Sequence, residues 1–387
     1  MFKVNSDVLK NIVTPLVKSA RKAGKEDKTI YIRTTDDMVS FYFHGAELSV
    51  EKKFPAQIES NLEVATSISE LDVKVAALPN EVEVTVEKTI GGPVQFTWKG
   101  IGKRKSELKM DILPETSPML EVPVFEETLN WSPGILHSLV RYIHPFTASN
   151  SEATRMPNCL GPNFSKDDTG RVIVRATDGI KGVTLYPKKI EWFDVPLSIH
   201  IASLQGVADV IPSDAEIQVG LSGGTSVIFK AGFTTAVCQT LVGKFPSIDP
   251  HYNTRTKGKM IIDRLELIKL CQRVKLLAPS APVLQMQVVE DKVFAIVPGV
   301  LEQALPASVE GDLPCFGVGA VHMEMAAMLF AMLKSAADEL TLYVDNFDTP
   351  ISVVVEGHED IRLFCAPYVS QFLRDLNSKK ESKLVTV

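Results

Sequence analysis

The sequence predicts an α+β protein in which one structural unit is used three times. Three observations predict it. A basic amphipathic helix candidate opens each third of the chain. A second helix in each third then runs into strands whose apolar residues alternate. Paired prolines close the first and second thirds. At 387 residues the chain is long enough for two to four domains, so three units of about 130 residues fit.

The first opening helix is expected over Ser6 to Ala23, with Val8, Leu9, Ile12, Val13, Leu16 and Val17 on one face and Pro15 kinking or dividing it. The second is expected from Ser132 to about Tyr142, capped by Ser132 with Pro133 at its first position. Its apolar face is Ile135, Leu136, Leu139, Val140 and Ile143. The third is expected over Asp263 to Leu277, capped by Asp263, with Leu265, Leu267, Ile268, Leu270, Cys271 and Val274 apolar. The second helices are expected over Ser67 to Leu78, Ile199 to Ile211 and His322 to Ala337.

Each second helix leads into an alternating strand: Glu81 to Val86, Glu216 to Leu221 and Glu339 to Val344. Period-two alternation means one buried face and one wet face. A further alternating strand follows each, over Val94 to Trp98, Ser226 to Lys230 and Ile351 to Val355. Gly91-Gly92-Pro93 and Gly220 to Gly224 read as the hairpin turns between them, and Asp36-Asp37 as a turn between Ile30 to Arg33 and Val39 to Phe43. Leu113 to Pro118 and Phe245 to Pro250 each carry two prolines among polar residues, which stops helix and central strand alike. Boundaries are therefore expected near 121 and 253. The resulting segments are 1–121, 122–252 and 253–369, each a doubled helix-plus-antiparallel-sheet unit, with a tail at 370–387.

Apolar residues make up 45% and charged residues 23%, the balance of a soluble globular chain. No apolar run approaches the roughly 18 residues of a membrane span, and Met1 to Asp7 lacks the apolar core of a secretory leader. Cys159, Cys238, Cys271, Cys315 and Cys365 are scattered, which reads as reduced cytoplasmic thiols and no zinc site. The net charge of −6 argues against nucleic-acid binding by the whole surface but allows a local basic face.

The opening helices supply such a face. The first carries Lys10, Lys18, Arg21 and Lys22, with Lys25 just beyond, against Asp7 alone within the helix. The third carries Arg264, Lys269, Arg273 and Lys275 against Glu266. The second offers Arg141, His137 and His144. Any one of these could be an ordinary solvated helix face. Their shared position in the repeat favours a positive surface set against phosphates.

No catalytic constellation has workable spacing. The phosphate-binding loop, the H-E-x-x-H zinc helix and the G-x-S-x-G elbow are all absent from the sequence. The seven histidines are dispersed, so neither a metal nor a cofactor is expected. Arg171 to Leu185 reads as strand, tight turn, strand around Asp178-Gly179. Asp178 could be a catalytic carboxylate, but an Asp before Gly usually serves the turn. A binding protein is favoured over an enzyme.

The local sequence adds a resemblance. Val174-Arg175-Ala176-Thr177-Asp178-Gly179, followed by a basic residue, resembles the T-D-G-H-R-L segment of the bacterial DNA polymerase III beta sliding clamps. Gly243-Lys244-Phe245-Pro246-Ser247-Ile248 resembles their G-[RK]-F-P-D-Y segment. Phe364-Cys365-Ala366-Pro367-Tyr368-Val369 sits where that family has its terminal M-P-[ML]-R segment. Ile180-Lys181-Gly182 departs from His-Arg-Leu, and Ser370 to Val387 extends past the family's usual end. The chain thus resembles a divergent clamp of the kind a phage or mobile element encodes.

The resemblance implies three tandem DNA-clamp domains in each chain and a ring formed as a homodimer. It implies a non-enzymatic processivity factor, cytoplasmic and nucleoid-associated, that encloses duplex DNA without reading sequence. Lys10, Arg21, Lys22, Lys25, Arg141, Lys269 and Arg273 would face the DNA. Ser106 to Asp111 would be an edge strand pairing with the partner subunit, with Leu108 and Met110 against Leu276 and Leu277 of the other chain. The same leucines could equally be core within one chain. Polymerase, clamp loader and repair proteins would dock short peptides in a pocket walled by Cys159, Thr177, Gly179, Ile180, Lys181, Gly182, Pro246, Pro350, Phe364, Cys365, Ala366, Pro367 and Tyr368. The alternative is a clamp-like adaptor that binds such peptides without encircling DNA.

Overall fold

The computed structural model describes the chain except residues 24–28, 90, 101–103, 115–123, 153, 189, 253–256, 290–291, 332–337, 359 and 385–387. The expected boundaries near 121 and 253 lie outside the described residues. By contacts the chain forms two compact units, one of Met1–Arg141 with Lys189–Val242, the other of Tyr142–Lys188 with Gly243–Val387. Mixed helix and antiparallel sheet run through both, as the sequence predicts.

The first unit contains helices α1 (Ser6–Lys22), α2 (Ile68–Ala76) and α4 (Ile201–Val210), and the start of α3 (Ile135–Ile143). Asn5 caps α1 by accepting from the Asp7 N–H at 2.8 Å. Leu9, Val13, Leu16 and Val17 are buried along one face, and the helix passes Pro15 undivided. The expected start of α3 at Pro133 is wrong. Gly134 has φ +81°, which no helical residue adopts, so the chain turns there and the helix begins at Ile135. The strand expected from Glu81 begins instead at Glu83, because Glu81 itself turns with φ +57°.

Two sheets fill the first unit. One is ordered Gln57–Ile58, Phe2–Asn5, Glu83–Lys88, Val94–Lys99, Lys105–Met110. The other is ordered Glu127–Trp131, Ile217–Ser222, Ser226–Ala231, Thr234–Gln239, Leu48–Pro55, Met38–Phe43, Thr29–Thr35, Glu63–Ser67. The inward faces carry Phe41, Phe43, Phe96 and Phe229, all fully buried, and Trp131 and Trp192 pack with ring centroids 5.9 Å apart.

The second unit contains α5 (Arg264–Leu277), α6 (Ala320–Ala331) and α7 (Gln371–Leu384). Asp263 caps α5 as expected, accepting from the Glu266 N–H at 2.8 Å. The helix expected to reach Ala337 is described only to Ala331, and 332–337 fall outside the described residues. One sheet runs Asn163–Lys166, Val172–Thr177, Lys181–Leu185, Ile361–Cys365, Ile351–Val354, Glu339–Val344, Gly258–Asp263, Ala307–Gly311. The other runs Leu301–Leu305, Lys292–Val297, Val283–Val289, Phe316–Gly319.

The repeat is visible in the pairing. Three meanders recur: 29–55, 163–185 and 283–305. The last strand of the first meander, Leu48–Pro55, pairs with Thr234–Gln239, with Leu48 opposite Cys238. The last strand of the second, Lys181–Leu185, pairs with Ile361–Cys365, with Lys181 opposite Cys365. The last strand of the third, Leu301–Leu305, is a sheet edge, and so is Lys105–Met110. After Lys105–Met110, Thr234–Gln239 and Ile361–Cys365 the chain makes the same kind of bridge: Leu113 to Ala65, Thr240 to Ile199 and Pro367 to Val318.

Candidate functional site

Two places take shape from the residues singled out in the sequence, the surface around the Thr177–Gly182 turn in the second unit and the basic faces of α1 and α5. The expected groove residues gather around the turn between Val172–Thr177 and Lys181–Leu185. Gly179 supplies the positive φ, +83°. Thr177 and Asp178 supply the hydrogen bonds. The Ile180 and Lys181 N–H groups donate to Asp178 Oδ1 at 2.9 and 2.8 Å, and the Thr177 hydroxyl donates to the Lys181 carbonyl at 2.8 Å. Asp178 Oδ2 accepts from Lys181 Nζ in an ion pair whose side chains are 10% and 7% exposed. Both carboxylate oxygens are therefore engaged in local structure, which is the turn role.

Three segments converge on this turn. Ala366 N–H donates to the Ile180 carbonyl at 2.6 Å, and Tyr368 N–H donates to the Gly317 carbonyl at 2.8 Å. The segment after Ile361–Cys365 is thus pinned on both sides. Asn158 Nδ2 donates to the Lys244 carbonyl at 3.0 Å, which fixes the stretch leading to Pro246. Gly182 lies opposite Phe364, and a Cβ on it would stand 2.2 Å from Phe364 Cε1. The ring occupies the space a side chain would need. Phe364 is itself buried, with the His251 ring at 4.9 Å and Tyr252 edge-on at 5.5 Å. The Thr184 hydroxyl donates to the Tyr252 oxygen at 3.0 Å, and burial pushes the Tyr252 phenol well up.

Of the expected groove residues, Gly179, Ile180, Pro246 and Tyr368 are exposed, and Pro350, Ala366 and Pro367 are half-buried. Cys159, Thr177, Lys181, Gly182, Phe364 and Cys365 are buried and back the surface. Burial pushes the Cys159 thiol up to about 11, with Asp178 adding to it, and the Cys365 thiol up to about 12. Neither is a thiolate near neutral pH. Burial, with Lys181 adding to it, lowers the His322 pKa. Met156, Asn158, His251 and Tyr252 were missed. His251 and Tyr252 directly follow the Pro246–Pro250 stretch, where an aromatic after a linker was a signal to extend it. Met156 and Asn158 had no periodic signal.

On the basic faces most of the cations are already engaged. Lys18 and Lys22 reach Asp209 of α4 at 2.8 and 2.6 Å, and Arg21 reaches Asp72 of α2 at 2.7 Å. Lys10 donates to the Leu78 carbonyl and to Asn80 Oδ1, each at 2.6 Å. Lys269 pairs with Glu266 at 2.8 Å, Arg273 donates to Gln303, and Lys275 pairs with Glu324. Arg141 is exposed, and Lys25 lies outside the described residues. Asp7 is the one acid within α1, as the sequence shows, and the acids that meet Lys18, Arg21 and Lys22 come from α2 and α4. Of the apolar contacts expected between chains, Leu276 is 82% exposed, Leu277 is exposed and Leu108 is half-buried. Met110 is fully buried within its own chain, because it faces inward beside Val94, so it cannot face a partner.

This element order and pairing define a fold, that of the sliding clamps. Solved structures of DNA polymerase III beta subunits match the chain almost end to end. The beta chain from Streptococcus pneumoniae TIGR4 gives a TM-score of 0.82 at 16% identity, covering 95% of this chain and 99% of its own. The beta subunit from Thermotoga maritima gives 0.81 at 15% identity, with the same coverage of 95% and 99%. The sliding clamp from Pseudomonas aeruginosa bound to griselimycin gives 0.78 at 14% identity, again covering 95% and 99%. No protein-family model matches the sequence. No curated protein matches it either. At these identities the likeness is one of fold.

Proposed function

We propose that this chain is a DNA sliding clamp, a non-enzymatic processivity factor that closes as a homodimeric ring around duplex DNA. In this reading each chain contributes clamp domains 1–121, 122–252 and 253–369. The exposed part of the groove takes short peptides from polymerase, clamp loader and repair proteins, in the cytoplasm and at the nucleoid.

The observation that carries the ring is the pair of edge strands. Two meanders end in a strand that pairs with the last strand of the following repeat. The third meander ends in Leu301–Leu305, and the remaining last strand is Lys105–Met110, each a sheet edge. Pairing the edge of one copy with the other edge of a second copy continues the pattern, and doing so twice closes it. Matching the outward-facing residues of the two edges would set Glu302 opposite Lys109 of the second copy. A slip of two residues either way would set Glu302 opposite Glu107 or Asp111, where like charges repel. Exposed Leu276 and Leu277 remain the candidates for added apolar contact between copies, with Leu108.

Two measurements test the reading. Solution mass should be about twice the 42.5 kDa chain. The protein should stay on closed circular DNA and leave when the circle is linearised; equal retention on both forms sinks the proposal. Lys109→Glu should give monomers, and adding Glu302→Lys should restore the dimer. The adaptor alternative gains from the paired state of the α1 cations, and a monomer at micromolar concentration would favour it.

A further inference from the structure

Four cations of the opening helices, Lys18, Arg21, Lys22 and Lys275, are held by carboxylates on neighbouring helices, and such pairs occur in both units. Asp209 of α4 forms ion pairs with Lys18 and Lys22 of α1, and its side chain is only 10% exposed. Asp72 of α2 holds Arg21 of α1. In the second unit Glu324 of α6 holds Lys275 of α5, and Glu324 is buried. A cation on the opening helix meets an acid on a second helix each time.

We propose that Asp209, seconded by Asp72, is an internal counter-ion that limits how tightly the protein grips duplex DNA. This rests on the sliding-clamp reading. A lysine in water binds phosphate mainly by releasing condensed counter-ions, and log affinity then falls with log salt by about 0.9 per phosphate neutralised. A lysine already paired with a carboxylate must exchange one anion for another. It gains little and releases no net charge to solution. Asp209 occupies two lysines at once, so it withholds the largest share of the α1 cations. A shallow exchange of carboxylate for phosphate suits a protein that must keep moving along the backbone.

The test compares full-length wild type with Asp209→Asn, an isosteric change that removes only the charge. Binding to a short blunt-ended linear duplex is measured across a salt series. Asp209→Asn should bind more tightly, about tenfold per released lysine near 0.1 M salt, with a salt slope steeper by about 1 to 2. Asp72→Asn releases Arg21 alone and should steepen the slope by about 1, which keeps the test open if Asp209→Asn folds poorly. Slopes equal to wild type in both variants overturn the inference. Retention of wild type on closed circles identifies the case where the inference fails and the clamp reading stands. Equal retention on closed and linear DNA sinks the clamp reading, and the inference with it.

Discussion

The turn at Thr177–Gly182 and the basic face of α1 were both singled out in the sequence, yet one reads true and the other reads half the chemistry. In the turn, most hydrogen-bond partners lie within four residues of each other. On α1 the partners of Arg21 and Lys22 are Asp72 and Asp209, far away in the chain. A sequence window contains the whole of the first constellation and only the positive half of the second. The difference teaches that charge counted along a helix measures what the helix offers, and tertiary structure decides what is left over.

The turn's ion pair should be the most costly of these contacts to remove. Asp178→Ala strands the Lys181 ammonium in a buried site and should cost roughly 3–5 kcal/mol in a urea unfolding midpoint. Asp178→Ala with Lys181→Met should recover most of that loss, because no unpaired charge remains. A single variant as stable as wild type would show that the turn, too, depends on distant contacts.

Gly182→Leu asks the same question of packing. The Phe364 ring fills the place of a side chain at 182, with 2.2 Å to a built Cβ. The variant should lose about 1–3 kcal/mol through overpacking. Phe364→Val in the same chain should return part of it. Full stability in the single variant would mean that the ring moves aside freely and that the groove backing is soft.

A third prediction uses the thiol behind the turn. Cys159 holds its proton up to about 11 in the fold, against 9.0 for an ordinary thiol. Between those values the unfolded chain has lost the proton and the native chain has kept it. The contribution is therefore fully present below about pH 9 and is lost as pH rises toward 11. Stability should fall over that window, and Cys159→Ala should flatten the fall whatever its effect at neutral pH. An identical slope in both proteins would remove Cys159 from the alkaline response.

Periodicity carried the fold a long way. The strand Glu339–Val344 lies where alternation placed it, and Asp263 caps α5 through the Glu266 N–H. Errors came where one residue's backbone overrides the pattern, as at Gly134 and Glu81 with their positive φ. The expected groove residues fall into exposed and buried sets that composition could not separate. Gly182 offered no clue that an aromatic from residue 364 would fill its place, since only cross-strand register sets that contact. Met110 was misplaced for a related reason. In an edge strand one face still looks inward, and alternation alone does not say which.

The exposed pair on α1 should matter least to stability. Arg21 and Asp72 form a pair at 2.7 Å whose side chains are 58% and 30% exposed. Water screens such a pair, and holding two side chains in place costs entropy, so Asp72→Ala should change stability by about 1 kcal/mol or less. The measurement is again a urea midpoint, read beside Asp178→Ala under the same buffer. A small loss means that Asp72 of α2 does little to hold α1 and α2 together, as the proposed effect on phosphate binding requires. A loss of several kcal/mol would mean that the pair braces α1 against α2. The local and the distant constellations would then both be structural, and the contrast between them would lie only in how far apart their partners stand in the chain.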